Sequence, residues 1–219
     1  HGEFRRSDDI VEEDEFPDLG DRDWTLLIQD MDKWDADVAQ LIHHFDFLPR
    51  WRIDDVMISF AVQGGSVGPH IDQYDVFLLQ AQGHRQWQIE DVPRFEPAFR
   101  QDAELKLLEQ FSATHSWDLA QGDMLYLPPG FAHHGEAIDP CMTFSLGMRA
   151  PSCAEMLTDF ADELAQKLPE YQRYQDSDLT ISQDPFEIDA QAFERVQQAL
   201  AALQNATPNE RNQWFGQFI

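Results

Sequence analysis

The reading turns on the stretch from Gly68 to Trp87, Gly-Pro-His-Ile-Asp-Gln-Tyr-Asp-Val-Phe-Leu-Leu-Gln-Ala-Gln-Gly-His-Arg-Gln-Trp. His70 and Asp72 stand two apart at the mouth of an apolar run rich in strand formers. In an extended chain, side chains at i and i+2 leave the same face. An imidazole and a carboxylate therefore point into one space. A further imidazole is on offer in Pro-Pro-Gly-Phe-Ala-His-His-Gly, residues 128–135. Two histidines and one carboxylate on one side of an ion, with the other positions open, form the donor set of non-haem Fe(II) centres that handle oxygen.

His44-Phe45-Asp46 repeats the spacing in another setting. It closes a segment in which Trp34, Val38, Leu41, Ile42 and Phe45 recur at helical period, which predicts a helix over 34–47 that stops before Pro49. Each helical residue turns about 100°, so residues two apart diverge by roughly 200° and cannot share an ion. The first pair qualifies as a ligand pair because its surroundings are strand-like.

With 219 residues, 42% of them hydrophobic, the chain has the size of one β-sandwich or barrel with helical additions. Cys141 and Cys153 cannot frame a disulfide scaffold and suit a reducing, cytoplasmic setting. No run approaches the ~20 apolar residues of a membrane span, and the acidic N-terminus is not a signal peptide. The chain opens on His1 rather than methionine, so a fragment or a trimmed chain is expected. Fifteen Lys and Arg against 41 Asp and Glu give a net charge of −26. Such a surface repels phosphate backbones and favours a basic protein partner over direct nucleic-acid binding, while also conferring solubility.

Residues 1–23 carry an acidic run, Asp8, Asp9 and Glu12 to Glu15, followed by Pro17 and Gly20, and read as a loop-like lead-in. Trp24 to Gln29 is a short strand. Ile53 to Val62 alternates, Val56, Ile58, Phe60 and Val62 on one face and Asp55, Met57, Ser59 and Ala61 on the other. Cys141 to Met148 divides the same way, with Cys141, Thr143, Ser145 and Gly147 on the small or polar face. That face points either at water or into a barrel cavity that holds a polar ligand. The glycine-rich turn Gln63 to Gly68 delivers His70. Val76–Gln80 and Arg85–Ile89 are expected to form a hairpin over Gln82-Gly83-His84, and Trp117–Ala120 and Met124–Leu127 a second over Gln121-Gly122-Asp123. A helix is expected around Glu104 to Phe111 in the intervening segment. Asp139-Pro140 turns the chain into its last strand. Short strands at this spacing predict a mainly β jelly roll over 1–150.

After Pro151 the period becomes helical. Cys153, Met156, Leu157, Phe160, Ala161 and Leu164 make one stripe, and a second runs from the N-cap Asp189 through Phe193, Val196, Leu200 and Leu203. A third helix starts at Thr207-Pro208 and carries Trp214, Phe215 and Phe218. Residues 151–219 are thus an appended helical region whose stripes either make its own core or pair two copies as a homodimer.

Arg85, at the start of the strand after Gly83-His84, is the candidate anchor for a co-substrate. An arginine pointing into a barrel keeps its charge and needs an anionic partner. A dicarboxylate answers that need, one end chelating iron and the other taking a bidentate guanidinium contact. Neighbouring strand residues face opposite ways, so only one of His133 and His134 can join the metal.

Trp51-Arg-Ile-Asp-Asp-Val-Met-Ile-Ser-Phe, the Gly68-to-Trp87 stretch, Pro128-Pro-Gly-Phe and the closing Gln213-Trp-Phe-Gly-Gln-Phe together resemble the bacterial ribosomal oxygenases. These are JmjC-type cupins, double-stranded β-helices with appended α-helices, dependent on Fe(II) and 2-oxoglutarate, which hydroxylate an arginine of a large-subunit ribosomal protein. The resemblance runs from Trp24 onward. It implies iron ligation by His70, Asp72 and His133, an oxoglutarate carboxylate held by Arg85 with Thr143 as a further cofactor-binding residue, and a target arginine near Asp55, Met57, Tyr74 and Ser145. Ala61 stands where a hydroxyl residue is expected near the co-substrate. The resemblance leads us to expect that the family's beginning and its C-terminal winged-helix-like domain lie outside this sequence. The resemblance implies consumption of O2 and oxoglutarate, release of succinate and CO2, and hydroxylation of a substrate carbon, with no membrane role. The alternatives are a non-catalytic metal-binding cupin acting as an interaction or dimerisation module, and a small-molecule cupin enzyme that uses no 2-oxoglutarate.

Overall fold

The strands that alternate small and apolar side chains are the ones that build the barrel wall. Val56–Ala61 and Cys141–Met148 pair antiparallel, with Met57 opposite Ser145, Ser59 opposite Thr143 and Ala61 opposite Cys141. In this computed structural model, which describes residues 19–177, 184, 186 and 188–219, the small and polar face turns inward and the greasy face outward. Val56, Ile58, Leu146 and Met148 pack outside the sheet against Val38 and Phe45. The division expected between water and cavity therefore resolves in favour of the cavity.

The strands are β1 (Thr25–Ile28), β2 (Val56–Ala61), β3 (His70–Ile71), β4 (Asp75–Gln82), β5 (Arg85–Ile89), β6 (His115–Leu119), β7 (Met124–Leu127), β8 (Ala132–Ala137) and β9 (Cys141–Met148). They form two sheets, ordered β1-β2-β9-β4-β7 and β3-β8-β5-β6, in a jelly roll. Val76 and Leu78 from one sheet and Trp87 and Ile89 from the other close the interior with Leu127. The acidic lead-in lies outside the described residues as far as Asp18. Among the described residues, no helix is long and apolar enough to cross a membrane.

Four local expectations are corrected. Neither glycine turn makes a hairpin: β4 pairs with β7 and β9, whereas β5 pairs with β6 and β8. Gly83 (φ +63°) and Gly122 (φ +92°) carry the chain from one sheet to the other. A tight glycine turn reverses direction in both cases, and only the long-range partners distinguish a hairpin from a crossover. The helix expected over 34–47 is broken into α1 (Met31–Trp34), α2 (Ala36–Leu41) and a 3-10 turn over Ile42–Phe45. The break comes at Asp35, whose carboxylate caps α2 by accepting from the amides of Asp37 and Val38. Trp34 is consequently 82% exposed and off the buried stripe. Glu104 to Phe111 is not helical. Leu108, 2% exposed, donates its amide to Pro69 O and bridges Phe99, so the segment is tied down by tertiary bonds instead of its own helical ones. The second C-terminal stripe is also interrupted, at Leu200, as noted below.

The chain divides into two compact units, His1–Ala150 and Pro151–Ile219. In the second, α3 (Cys153–Gln166) and α6 (Pro208–Phe218) each begin with a capping box, Ser152 with Glu155 and Thr207 with Glu210. Asp189 caps α4 (Ala190–Ala199), and α5 (Ala201–Asn205) follows. Trp214 stacks on Phe218 and tilts against buried Phe160 at 4.9 Å, while its indole N–H donates to Asp159. Leu157, Phe193, Val196 and Leu200 remain exposed.

Candidate metal and co-substrate site

Gly68 adopts φ +98°, in the left-handed region that favours glycine, and turns the chain into the two-residue strand β3. The Leu107 side chain packs where a Gly68 Cβ would sit, 3.3 Å away, so the 91–114 segment backs this turn. His70 lies directly opposite His133 in the β3–β8 ladder, which puts both rings on one face with centroids 4.2 Å apart. Asp72 follows, its carbonyl accepting from the Gly130 amide at 2.9 Å, which ties the carboxylate segment to the Pro-Pro-Gly turn before β8. Donor atoms of His70, Asp72 and His133 all lie within 4.8 Å of one another, with His133 Nε2 at 3.7 Å from Asp72 Oδ2.

Both imidazoles are held alike. Nδ1 of His70 lies 2.9 Å from Gly68 O, and Nδ1 of His133 lies 3.0 Å from Phe131 O. A carbonyl can only accept, so each Nδ1 carries the proton and each Nε2 keeps its lone pair for an ion. Burial pushes His133 down to about 3, so its ring is uncharged at neutral pH, the form that ligates metal. Burial raises the Asp72 carboxyl above its ordinary value, opposed by the nearby His70 and by a hydrogen bond from Tyr74. His134 faces away from this cluster and hydrogen-bonds Ser66 through Nε2 at 2.8 Å. His44 and Asp46 join no donor cluster among the described residues.

Arg85 is 4% exposed. It reaches the interior from β5, the strand beside β8, and not from the return arm of a hairpin with β4. Its Nη1 donates to Ser59 Oγ at 3.3 Å, whereas Nε and Nη2 are buried without any hydrogen-bond partner. No carboxylate pairs with it among the described residues. A buried guanidinium left in that state marks a place for an anion. Thr143 lies in the same buried region, its hydroxyl donating to Gln80 Oε1 at 2.9 Å.

Of the four residues that the resemblance assigns to a target side chain, Tyr74 and Asp55 lie together on a rim beside Asp72. Met57 and Ser145 are opposite one another on β2 and β9. Gly147 lies between Asp55 and Tyr74, and a Cβ there would stand 3.6 Å from Asp55 Oδ1 and 3.7 Å from Tyr74 Cε2. Asp55 accepts from the Asp30 amide at 3.0 Å, and burial raises its carboxyl above the ordinary value. Tyr74 is pushed up to about 12 by burial and by Asp72, Asp55 and Asp54, so its hydroxyl keeps its proton. The rim is acidic and half-buried, a setting for a cationic side chain.

Two residues of the site were not singled out from the sequence. Trp87 is 5% exposed, lies two residues beyond Arg85 on the same inward face, and its i+2 spacing was the available signal. Glu90 is buried and pairs with Arg94 at 2.5 Å while accepting from the Ser112 amide. Arg94 N in turn donates to Gly130 O, next to the bond that holds Asp72. That chain closes through space, and no local pattern announces it. Two surface grooves lie elsewhere, one bordered by Arg22, Gln86 and Glu136 and the other by Val38, His43 and Phe144.

Residues 40–156 match the JmjC domain. Over 201 residues the chain is 39% identical to the ribosomal protein uL16 3-hydroxylase of Escherichia coli strain K12, covering 92% of this chain and 53% of that protein. The X-ray structure of E. coli YcfD is similar at a TM-score of 0.76 and 38% identity, over 96% of this chain and 55% of the other. A structure of YcfD, a ribosomal oxygenase from E. coli, in complex with cobalt and 2-oxoglutarate gives a TM-score of 0.73 at 38% identity, over 93% and 53% of the two chains. The chain thus spans about half the length of these relatives.

Proposed function

The chain belongs to the JmjC domain family, and from that premise we propose that it is the catalytic part of an Fe(II)- and 2-oxoglutarate-dependent oxygenase that hydroxylates an arginine side chain of a large-subunit ribosomal protein. One observation carries the reading: a three-donor cluster shares an apolar barrel with a buried guanidinium that has two unpartnered nitrogens. A centre that needed metal alone would have no use for that cation.

The residues fit both groups. Two imidazoles and one carboxylate, His70, His133 and Asp72, suit non-haem Fe(II). The orphaned Nε and Nη2 of Arg85 suit a carboxylate taken in bidentate fashion. When bound, iron and 2-oxoglutarate supply the oxidising chemistry, with O2 and the keto acid consumed, succinate and CO2 released, and a hydroxyl delivered to a substrate carbon.

The chain's own residues place and shield. The Gly68 and Phe131 carbonyls fix the two rings, and Gly130 fixes the backbone of Asp72. Val76, Leu78, Ile89 and Leu127 keep water from the interior. Asp55 offers negative charge to an arriving guanidinium, Tyr74 offers a hydroxyl that stays protonated, and Met57 and Ser145 border the same rim. The net charge of −26 attracts a basic protein. The name of the E. coli relative, a uL16 hydroxylase, supports a ribosomal protein as substrate, and the acidic rim supports arginine as the residue. Such a substrate implies a cytoplasmic enzyme, and the exposed apolar side chains of 151–219 support a homodimer built through that region.

The test is direct. Anaerobic Fe(II) protein should develop a visible charge-transfer band when 2-oxoglutarate is added. In air it should add one oxygen to an arginine-bearing peptide of uL16, with succinate formed in step. Asp72→Ala should abolish both band and succinate. Coupled succinate formation by that variant would overturn the ligand assignment.

A further inference from the structure

Trp87 presents a buried donor that no described residue satisfies. Its indole Nε1 has no hydrogen-bond partner, although Trp87 is only 5% exposed. A tryptophan N–H at that depth ordinarily finds an acceptor. The ring also has a defined place. Along β5 and β8 the inward rungs run Ile89 opposite His133, Trp87 opposite Gly135, and Arg85 opposite Ala137. Trp87 therefore occupies the rung between the metal donors and the guanidinium. Its centroid is 5.9 Å from that of His133, and Arg85 Cζ stands 5.8 Å above the ring. The benzo edge lies close over Gly135, where a Cβ would meet Cη2 and Cζ3 at 2.8 Å.

The two hydroxyls nearby have already committed their protons. Ser59 Oγ donates to Thr143 O and accepts from Arg85 Nη1. Thr143 Oγ1 donates to Gln80 Oε1, and Gln80 Nε2 donates one of its two protons to Gln82 O. No hydroxyl proton of this pair is left for an anion. Nε and Nη2 of Arg85 and Nε1 of Trp87 are buried nitrogens with no partner at all among the described residues.

Resting on the oxygenase reading above, we infer that Trp87 is a co-substrate-binding residue whose indole N–H completes a three-donor cradle with Arg85 for the distal carboxylate of a keto-diacid. A carboxylate has two oxygens, enough to accept from two guanidinium nitrogens and one indole N–H at ~2.9 Å each. The cradle selects dicarboxylates over keto acids that end in a methyl group, since these would leave all three donors buried and unpaired.

The experiment compares wild type with Trp87→Phe, both loaded with Co(II), by calorimetry against two ligands: 2-oxoglutarate, and 2-oxopentanoate, which has the same chain without the distal carboxylate. The variant should bind 2-oxoglutarate about 10- to 100-fold more weakly, the loss expected for one hydrogen bond to a charged acceptor. Its affinities for 2-oxopentanoate and for Co(II) should be unchanged. Equal losses for both keto acids, or no loss for either, would overturn the assignment. A second measurement needs no variant: in Zn(II)-loaded protein with 15N-labelled tryptophan, an exchange-protected indole N–H should shift on adding 2-oxoglutarate and stay put with 2-oxopentanoate. Absence of that shift overturns it equally. Wild-type protein that takes up no 2-oxoglutarate sinks this inference together with the oxygenase reading, whereas normal uptake with an indifferent variant sinks the inference alone.

Discussion

Replacing Arg85 by methionine should stabilise the protein by itself and remove most of the stabilisation that one small molecule confers. Without co-substrate the guanidinium is buried with a single 3.3 Å hydrogen bond to Ser59 and no carboxylate partner among the described residues. A charge in that state costs folding energy, and exchanging buried ions for apolar groups of similar size typically stabilises by about 1–4 kcal/mol. For a chain of this size that raises Tm by at least ~2–4 °C. With 2-oxoglutarate at ~100 times its Kd, wild type gains about 2.7 kcal/mol, or ~5–11 °C. Loss of both contacts from Nε and Nη2 removes at least ~3 kcal/mol of binding, since hydrogen bonds to charged groups are worth about 1.5–3 kcal/mol each. The variant's Kd then rises more than ~100-fold. The same ligand concentration leaves it a gain of only ~0.4 kcal/mol. Thermal unfolding of the Zn(II)-loaded proteins, with and without 2-oxoglutarate, reads both halves: the variant melts above wild type alone, and the keto acid raises wild type by about 2.3 kcal/mol, or ~5–9 °C, more than it raises the variant. An Arg85→Met protein that melts lower than wild type alone, and shifts as far on adding ligand, would show that Arg85 is structural and the reasoning wrong.

Three further outcomes are expected. Glu90→Ala removes the acceptor of both Arg94 and the Ser112 amide, costing about 2–3 kcal/mol. Because Arg94 N bonds the Gly130 carbonyl beside the Gly130–Asp72 link, Co(II) titration should also show weaker metal binding, and unchanged affinity would confine Glu90 to loop stability. Gly135→Ala places a methyl 2.8 Å from the Trp87 ring, an overpacking worth about 1–3 kcal/mol that a melting curve should register as a lower Tm. Glu210 is held below its ordinary 4.5 by hydrogen bonds from the Thr207 amide and hydroxyl. A depressed folded value means its contribution to α6 is complete above 4.5 and fades as pH falls through the folded value. Protection factors of α6 amides, taken against the intrinsic exchange rate at each pH, should therefore fall on acidification across that window in wild type and not in Glu210→Gln.

Much of the site was legible because its logic is short-range. His70 and Asp72 share a face by strand geometry alone, and the alternation in Val56–Ala61 and Cys141–Met148 marks the faces that line the barrel. Choosing inside over outside needed more than alternation, because an amphipathic strand looks the same whether its polar side meets water or a cavity. The two supposed hairpins failed for a related reason. Gly83 and Gly122 permit reversal, but which strand lies alongside is fixed by partners 26 to 73 residues away. Glu104 to Phe111 had helical composition, yet Leu108 gains more by filling the hole beside Pro69 than eight residues gain from an isolated helix.

The sequence by itself determined what was chemically available: three donors of the right kinds, an arginine that cannot shed its charge, and periodicities that separate a β unit from a helical one near residue 150. Only the tertiary structure decided that, among the described residues, Arg85 has no carboxylate partner, that Trp87 stands between it and the metal donors with no acceptor for its N–H, and that Glu90 reaches Asp72 through Arg94 and Gly130. The physical reason is that covalent spacing sets which face a side chain leaves from, whereas whether a buried polar group is satisfied depends on every element packed around it.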